Sequence, residues 1–280
     1  MKKWLTAIIF VLVVGALAAC GSTDKKENSS DKASKTEEAK EIKIGATAGP
    51  YSDMLKKAIK PGLEEKGYKV EIVEFSDYIQ PNKALNNDDI QANLFQHTIY
   101  LENFAKENKM DLTGLISVPT APMGIYSNTY KSLDDVKNGS TITIPNDPTN
   151  SARAFNTLEA EGLIKLTENV NPLTVSEKDI KENKKDLKFQ PIEAGQLPRS
   201  VESADLAAVP GNFALAAKMD LLSALALENM MDQYRNVVAV KTSNKDSQLA
   251  KDIKEVVKSA DFEKIIDKDF KGFGKPEWMK

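Results

Sequence analysis

Three stretches of this chain carry side chains better suited to binding chemistry than to scaffold. Glu74–Tyr100 holds Tyr78, Phe95, His97 and Tyr100. Pro145–Arg153 reads PNDPTNSAR. Val209–Phe213 reads VPGNF and is followed later by Tyr234-Arg235-Asn236. Arg153 offers a planar guanidinium whose fork matches a carboxylate. It falls in the first turn expected of a helix over 150–161, with Asn150 or Ser151 as N-cap, where free N–H groups add attraction for an anion. The helix dipole disfavours a cation there, so a surface or structural arginine is the competing reading. Tyr78, Phe95 and Tyr100 could wall an apolar pocket with His97 beside them, and ordinary core is the competing reading. The amides of Asn212 and Asn236 can both accept and donate. Those two residues could equally be a turn residue and a strand-edge residue.

The rest of the inventory narrows the chemistry. The chain has one histidine and one cysteine. An intramolecular disulfide and a multi-histidine zinc site are therefore excluded, and any imidazole-dependent step must use His97. Carboxylates alone suit a transition metal poorly, and no metal or cofactor is expected. The patterns G-x-S-x-G, H-E-x-x-H, the P-loop and the dinucleotide fingerprint are all missing. Lysine and arginine number 38 against 41 acidic residues, a net charge of −3. That balance lacks the basic surplus of a nucleic-acid binder. Hydrophobic residues at 41% and charged residues at 28% describe an ordinary globular chain.

Hydropathy patterning supplies the elements that must hold these residues. Ile42, Ile44 and Ala46 alternate as in a strand. Tyr51, Met54, Leu55, Ala58 and Ile59 share a helical face that Pro61-Gly62 interrupts and Gly67 closes. Tyr68–Phe75 is a second strand, completing a βαβ unit. Short strands follow at 90–94, 115–118, 122–127, 141–145, 187–193, 205–209 and 234–241. Helices are expected at 98–108, 132–137 and 150–161, from Gly211, and near 246–258 and 261–270. The alternation predicts an α/β fold with mostly parallel strands. The Lys- and Glu-rich stretch 177–188 reads as a solvated face.

The N-terminus has a separate logic. MKKWLTAIIFVLVVGALAAC places two lysines before an apolar run that ends in small residues at the only cysteine. The run is short of the ~20 residues needed to span a bilayer and has the layout of a secretory signal. Leu17-Ala18-Ala19-Cys20 resembles the lipobox of bacterial lipoproteins. That resemblance implies cleavage of residues 1–19 and diacylglycerol on the Cys20 sulfur. Residues 21–40 lack large apolar side chains and are expected to form a disordered tether, with a reach of roughly 25 Å.

The segments EFSDYIQPNKAL, ANLFQH, PMGIYS, IPNDPTNSAR, EAGQLPRS and VPGNFALA, spread over the body of the chain, resemble the methionine-binding lipoproteins of bacterial ABC importers, the MetQ/NlpA family. The resemblance implies a two-lobed periplasmic-binding-protein fold, type II-like, with ligand in the cleft between lobes. Residues 41–128 plus 240–280 are assigned to one lobe and 129–239 to the other. It further implies a ligand-binding set of Tyr78, Phe95, His97, Tyr100, Arg153, Asn212 and Asn236. In that set Arg153 takes the ligand carboxylate and the aromatics enclose a thioether. With the lobes open, Arg153 is then expected to face water. The implied function is capture of L-methionine outside the cytoplasmic membrane and delivery to an ABC permease with its ATPase, without catalysis. A receptor for D-methionine or a methionine-containing dipeptide is the alternative within this class. A lipid-anchored enzyme or adhesin is the alternative outside it.

Overall fold

The computed structural model describes residues 40–280. The expected signal segment, Cys20 and nearly all of the tether lie outside the described residues. The first strand, β1 (Lys40–Thr47), buries alternate residues at its start and every residue from Ile44 onward. The chain leaves it into α1 (Pro50–Met54), a π-helical stretch (Leu55–Ile59) and α2 (Lys60–Glu65). Pro61 sits in the first turn of α2, where its missing N–H costs little. The interruption read at Pro61-Gly62 is thus taken up by the π turn just upstream. Gly67 ends the run with φ +85°, a conformation open to glycine at no steric cost. Next come β2 (Tyr68–Phe75), α3 (Gln80–Asn86), β3 (Ala92–His97), α4 (Thr98–Asn108) and β4 (Leu112–Ser117).

The chain then crosses to a second sheet. It enters as β5 (Gly124–Tyr126) and continues through β6 (Thr141–Pro145), α5 (Pro148–Ala160) and a small pair, β7 (Ile164–Leu166) with β8 (Ile180–Asn183). There follow β9 (Lys188–Ile192), α6 (Leu197–Ser200), β10 (Leu206–Val209), α7 (Gly211–Ala216) and β11 (Ala226–Leu227). A return crossing leads to β12 (Asn236–Lys241), α8 (Gln248–Val257) and α9 (Ala260–Asp269). One sheet has the order β2-β1-β3-β12-β4 and the other β11-β5-β10-β6-β9. Each sheet carries its own core. Ile44, Leu94 and Val238 meet Leu55, Ile59 and Ile253 in the first, and Ile142, Ile144 and Leu206 meet Phe155 and Leu158 in the second.

Three expectations change. The strands are mixed in direction. β12 runs antiparallel to both β3 and β4, and β5 is antiparallel to β10 and β11, because each crossing delivers the chain into its new sheet from the opposite end. Sheet membership also moves the boundaries. Gly124–Tyr126 belongs with the second sheet and Asn236–Lys241 with the first, so the crossings run over 118–123 and 228–235 instead of at 128 and 239. No helix forms over 132–137. That segment is short and closed by Gly139 at φ +79°, too brief to offset the cost of nucleating a helix. Part of the charged stretch 177–188 forms β8, whose side chains remain largely in solvent.

Candidate functional site

All seven residues singled out from the sequence line one cavity between the sheets. Their local structure explains how. The ladder of β3 ends at His97, which turns into α4 as its N-cap, and its Nδ1 accepts from the Tyr100 N–H at 3.1 Å. Phe95 and His97 therefore project from the strand and Tyr100 from the first helical turn. Tyr78 precedes α3, whose start is set by Asp77, a side chain that accepts from the Ile79 and Gln80 N–H groups. The rings of Tyr78, Phe95 and Tyr100 lie 5.6–6.1 Å apart, and Phe213 of the second lobe stands 4.9 Å from Tyr78. These are favourable tilted and edge contacts. Tyr100 donates its hydroxyl to the Tyr78 carbonyl at 3.0 Å.

The polar wall comes mostly from the second lobe. Asp147, not Asn150 or Ser151, caps α5 by accepting from the Asn150 N–H. Pro148 then takes the first helical position, which moves Arg153 from the first turn into the second. The Asn150 and Ser151 N–H groups of the helix start are spent on the Asp147 side chain and carbonyl instead of facing a ligand beside Arg153. The arginine is 5% exposed. Its Nη1 donates to Asn150 Oδ1 at 2.8 Å, its Nε to Glu228 Oε2 at 2.9 Å, and its Nη2 to Glu228 Oε1. Tyr234 presents its ring face 5.3 Å from the guanidinium carbon. A water-facing arginine is the expectation for the open form; with the lobes together Arg153 is buried. A long cation next to two apolar lobes is covered as they meet, and it needs a buried counter-charge. Burial works against the Arg153 charge, but the charge and hydrogen bonds of Glu228 more than offset it and hold its pKa above the usual arginine value.

Three hydrogen bonds join the lobes at the cavity, one of them from the Asn212 amide to Thr47 Oγ1 at 3.4 Å. Tyr78 donates to Asn212 Oδ1 at 2.6 Å, and His97 Nε2 meets Asn150 Oδ1 at 3.2 Å. Since His97 Nδ1 accepts, its neutral ring carries the proton on Nε2. Burial, reinforced by Arg153, pushes its pKa well below the ordinary histidine value. The imidazole is therefore a neutral donor, not a charge. Burial likewise raises Tyr78 and Tyr100 well above the normal tyrosine range. Asn212 opens α7 just after Gly211, where an added Cβ would come within 2.3 Å of the Pro122 carbonyl oxygen. That glycine lets α7 abut the first crossing. Asn236 begins β12, takes its N–H to Thr120 Oγ1 at 2.8 Å and donates its amide to the Phe95 carbonyl at 2.9 Å.

Sequence reasoning passed over several residues of this wall. Asn150 bonds both His97 and Arg153, and it was read only as a cap. Tyr51, Thr120 and Ala121 line the cavity, but nothing in their local pattern distinguishes them from core. An amide cluster of Asn82, Asn93 and Gln96, of which Gln96 lines the cavity, is buried and mutually hydrogen-bonded at 2.7–3.0 Å. Three buried amides within fifteen residues were the available signal for it. Glu228 lies in ALALENMM and gave none. Among the described residues, no group of three His, Cys, Asp or Glu side chains could hold a metal ion, and no helix is long and apolar enough to cross a membrane.

A family model described as NlpA lipoprotein matches residues 42–278. This chain belongs to the NlpA lipoprotein family. Within that family it is 35% identical over 266 residues to the D-methionine-binding lipoprotein MetQ of Salmonella typhi, covering 94% of this chain and 93% of that one. It is 35% identical over 277 residues to the methionine-binding lipoprotein MetQ of Bacillus subtilis, covering 97% of each. A solved structure of a nutrient-binding protein from Burkholderia cenocepacia bound to methionine matches with a TM-score of 0.78 at 37% identity, over 82% of this chain and 97% of that one. The two sheets with a cleft between them are the two-lobed solute-binding fold of these NlpA-family relatives.

Proposed function

We propose that this chain captures methionine between its lobes and delivers it to an ABC permease with its ATPase, while a lipid on Cys20 holds it at the extracytoplasmic face of the membrane. The observation that carries this reading is one enclosed space with an arginine fork on one side and an aromatic cluster on the other. A zwitterionic amino acid with an apolar side chain needs both walls. Arg153 receives the carboxylate through paired N–H donors. Asn212 and Asn236 offer amide oxygens to the ammonium and amide N–H groups to the carboxylate. Tyr78, Phe95 and Tyr100 surround the thioether, where sulfur–ring contacts contribute about 0.3–1.5 kcal/mol. His97 stays neutral and donates. Lobe closure removes water from the charged end and strengthens its hydrogen bonds. No bond in the ligand is made or broken.

The similarity to relatives named for methionine and for D-methionine supports the ligand class and leaves both enantiomers as candidates. Isothermal calorimetry with L-methionine, D-methionine and a methionine dipeptide tests the reading. Saturable one-to-one binding of at least one of them is expected, with the ligand recovered unchanged. Product formation, or no binding by any of the three, would overturn it. The anchor is tested separately by fractionating cells that express Cys20→Ser. Release from membranes or accumulation of precursor is expected.

A further inference from the structure

Glu228 does not itself line the cavity, yet it holds the charged group that does, Arg153. Its carboxylate spans the Nε–Nη2 edge of Arg153, and both side chains are 5% exposed. Its Oε1 also accepts from the Met123 N–H at 2.7 Å, and its own N–H donates to the Met123 carbonyl at 2.9 Å. Met123 closes the first inter-lobe crossing and Glu228 opens the return crossing, so one residue ties both crossings to the arginine. Of the five guanidinium N–H groups, Glu228 takes two and Asn150 one. One N–H on each terminal nitrogen remains for a ligand.

We propose that Glu228 is a positioning residue for ligand capture. It holds Arg153 by one edge so that the remaining pair of donors is aimed and kept at a fixed place relative to the crossings. This rests on the functional reading above, in which Arg153 receives the carboxylate. A free arginine on a flexible stem would have to be ordered by each incoming ligand, whereas one clamped by a buried carboxylate is ordered in advance. The pair also leaves the cavity wall nearly neutral, so geometry more than net charge selects the carboxylate.

The test is a double-mutant cycle in the full chain with Glu228→Gln, Arg153→Lys and the double variant. L-methionine affinity is measured by calorimetry and stability by urea unfolding without ligand. Glutamine keeps the shape and an acceptor for Met123 but loses the charge. Glu228→Gln is expected to weaken methionine binding by about tenfold or more, the scale of one well-placed hydrogen-bond partner. The double variant is expected to bind no more weakly than Arg153→Lys alone, which a merely structural glutamate would not produce. Glu228→Asp, with its charge kept and its reach shortened, should fall between wild type and Gln, and it serves if Gln does not fold. Wild-type affinity in Glu228→Gln, or losses that simply add in the double variant, would overturn the proposal. Tighter binding would also overturn it, by showing that Glu228 competes with the ligand. If wild type binds no methionine, the functional reading fails by itself. The unfolding cycle then decides whether Glu228 holds Arg153, with non-additive stabilities supporting the clamp and additive ones overturning it.

Discussion

The two walls of the cavity are built differently. The aromatic wall is local, since Tyr78, Phe95, His97 and Tyr100 fall within one run of the first lobe through α3, β3 and the start of α4 and contact one another directly. The polar wall is assembled at a distance. Asp147 caps the helix, Asn150 reaches back to His97, and Arg153 is held by a glutamate 75 residues further on. Apolar rings need only be near one another, because burial is non-directional. A buried guanidinium must have each donor aimed, and its partners come from wherever the fold can supply them. The difference teaches that the polar wall should be the fragile one, in stability as well as in binding.

The sharpest way to break this contrast is Arg153→Ala. It removes the carboxylate's receiver and strands Glu228 as a buried, unpaired charge, a change that typically costs about 3–5 kcal/mol. Urea unfolding without ligand should show a loss on that scale, and methionine affinity should fall by about two orders of magnitude or more. Arg153→Lys should recover only part, because the charge remains and the planar fork does not. Unchanged stability would mean that the Glu228 pairing is not maintained in solution.

The aromatic wall is tested by ligand selectivity. If it encloses the thioether, methionine should bind more tightly than alanine by about 1.5–3 kcal/mol, the usual value of burying a side chain of that size. Competition calorimetry reads the difference, and equal affinities would identify the aromatics as core only. A smaller effect joins the walls. His97 is neutral in the fold, with its pKa well below 6.5, and Arg153, Asn150, Tyr100 and Tyr234 face it. Below about pH 6.5 the unfolded chain takes a proton that the folded chain refuses. The stability associated with His97 is thus complete above that pH and falls as the pH drops, by up to about 1.4 kcal/mol per unit. Unfolding curves of wild type and His97→Gln between pH 6.5 and 5 should diverge in slope accordingly. The smallest effect belongs to Tyr78→Phe, which keeps the ring and loses the hydrogen bond to Asn212. A loss near 1 kcal/mol in ligand affinity or stability is expected, and a larger one would give the hydroxyl a direct ligand contact.

By itself the sequence determined whatever depends on local pattern. Alternating apolar residues marked β1 and β2, a run of valines marked β12, a shared apolar face marked the helix from Pro50, and the motifs around Tyr78, His97 and Arg153 marked most of one cavity. Helical and strand periodicities follow from the geometry of a few successive residues, so they are visible in any window of the chain. Only the tertiary structure decided that β12 returns between β3 and β4, that the crossings run over 118–123 and 228–235, and that Arg153 is buried against Glu228. A lone glutamate in an apolar stretch looks like any solvated charge until the fold brings it to a cation. Removal from water makes the pairing strong, and that removal is produced by packing between distant segments, which leaves no periodic trace in the chain.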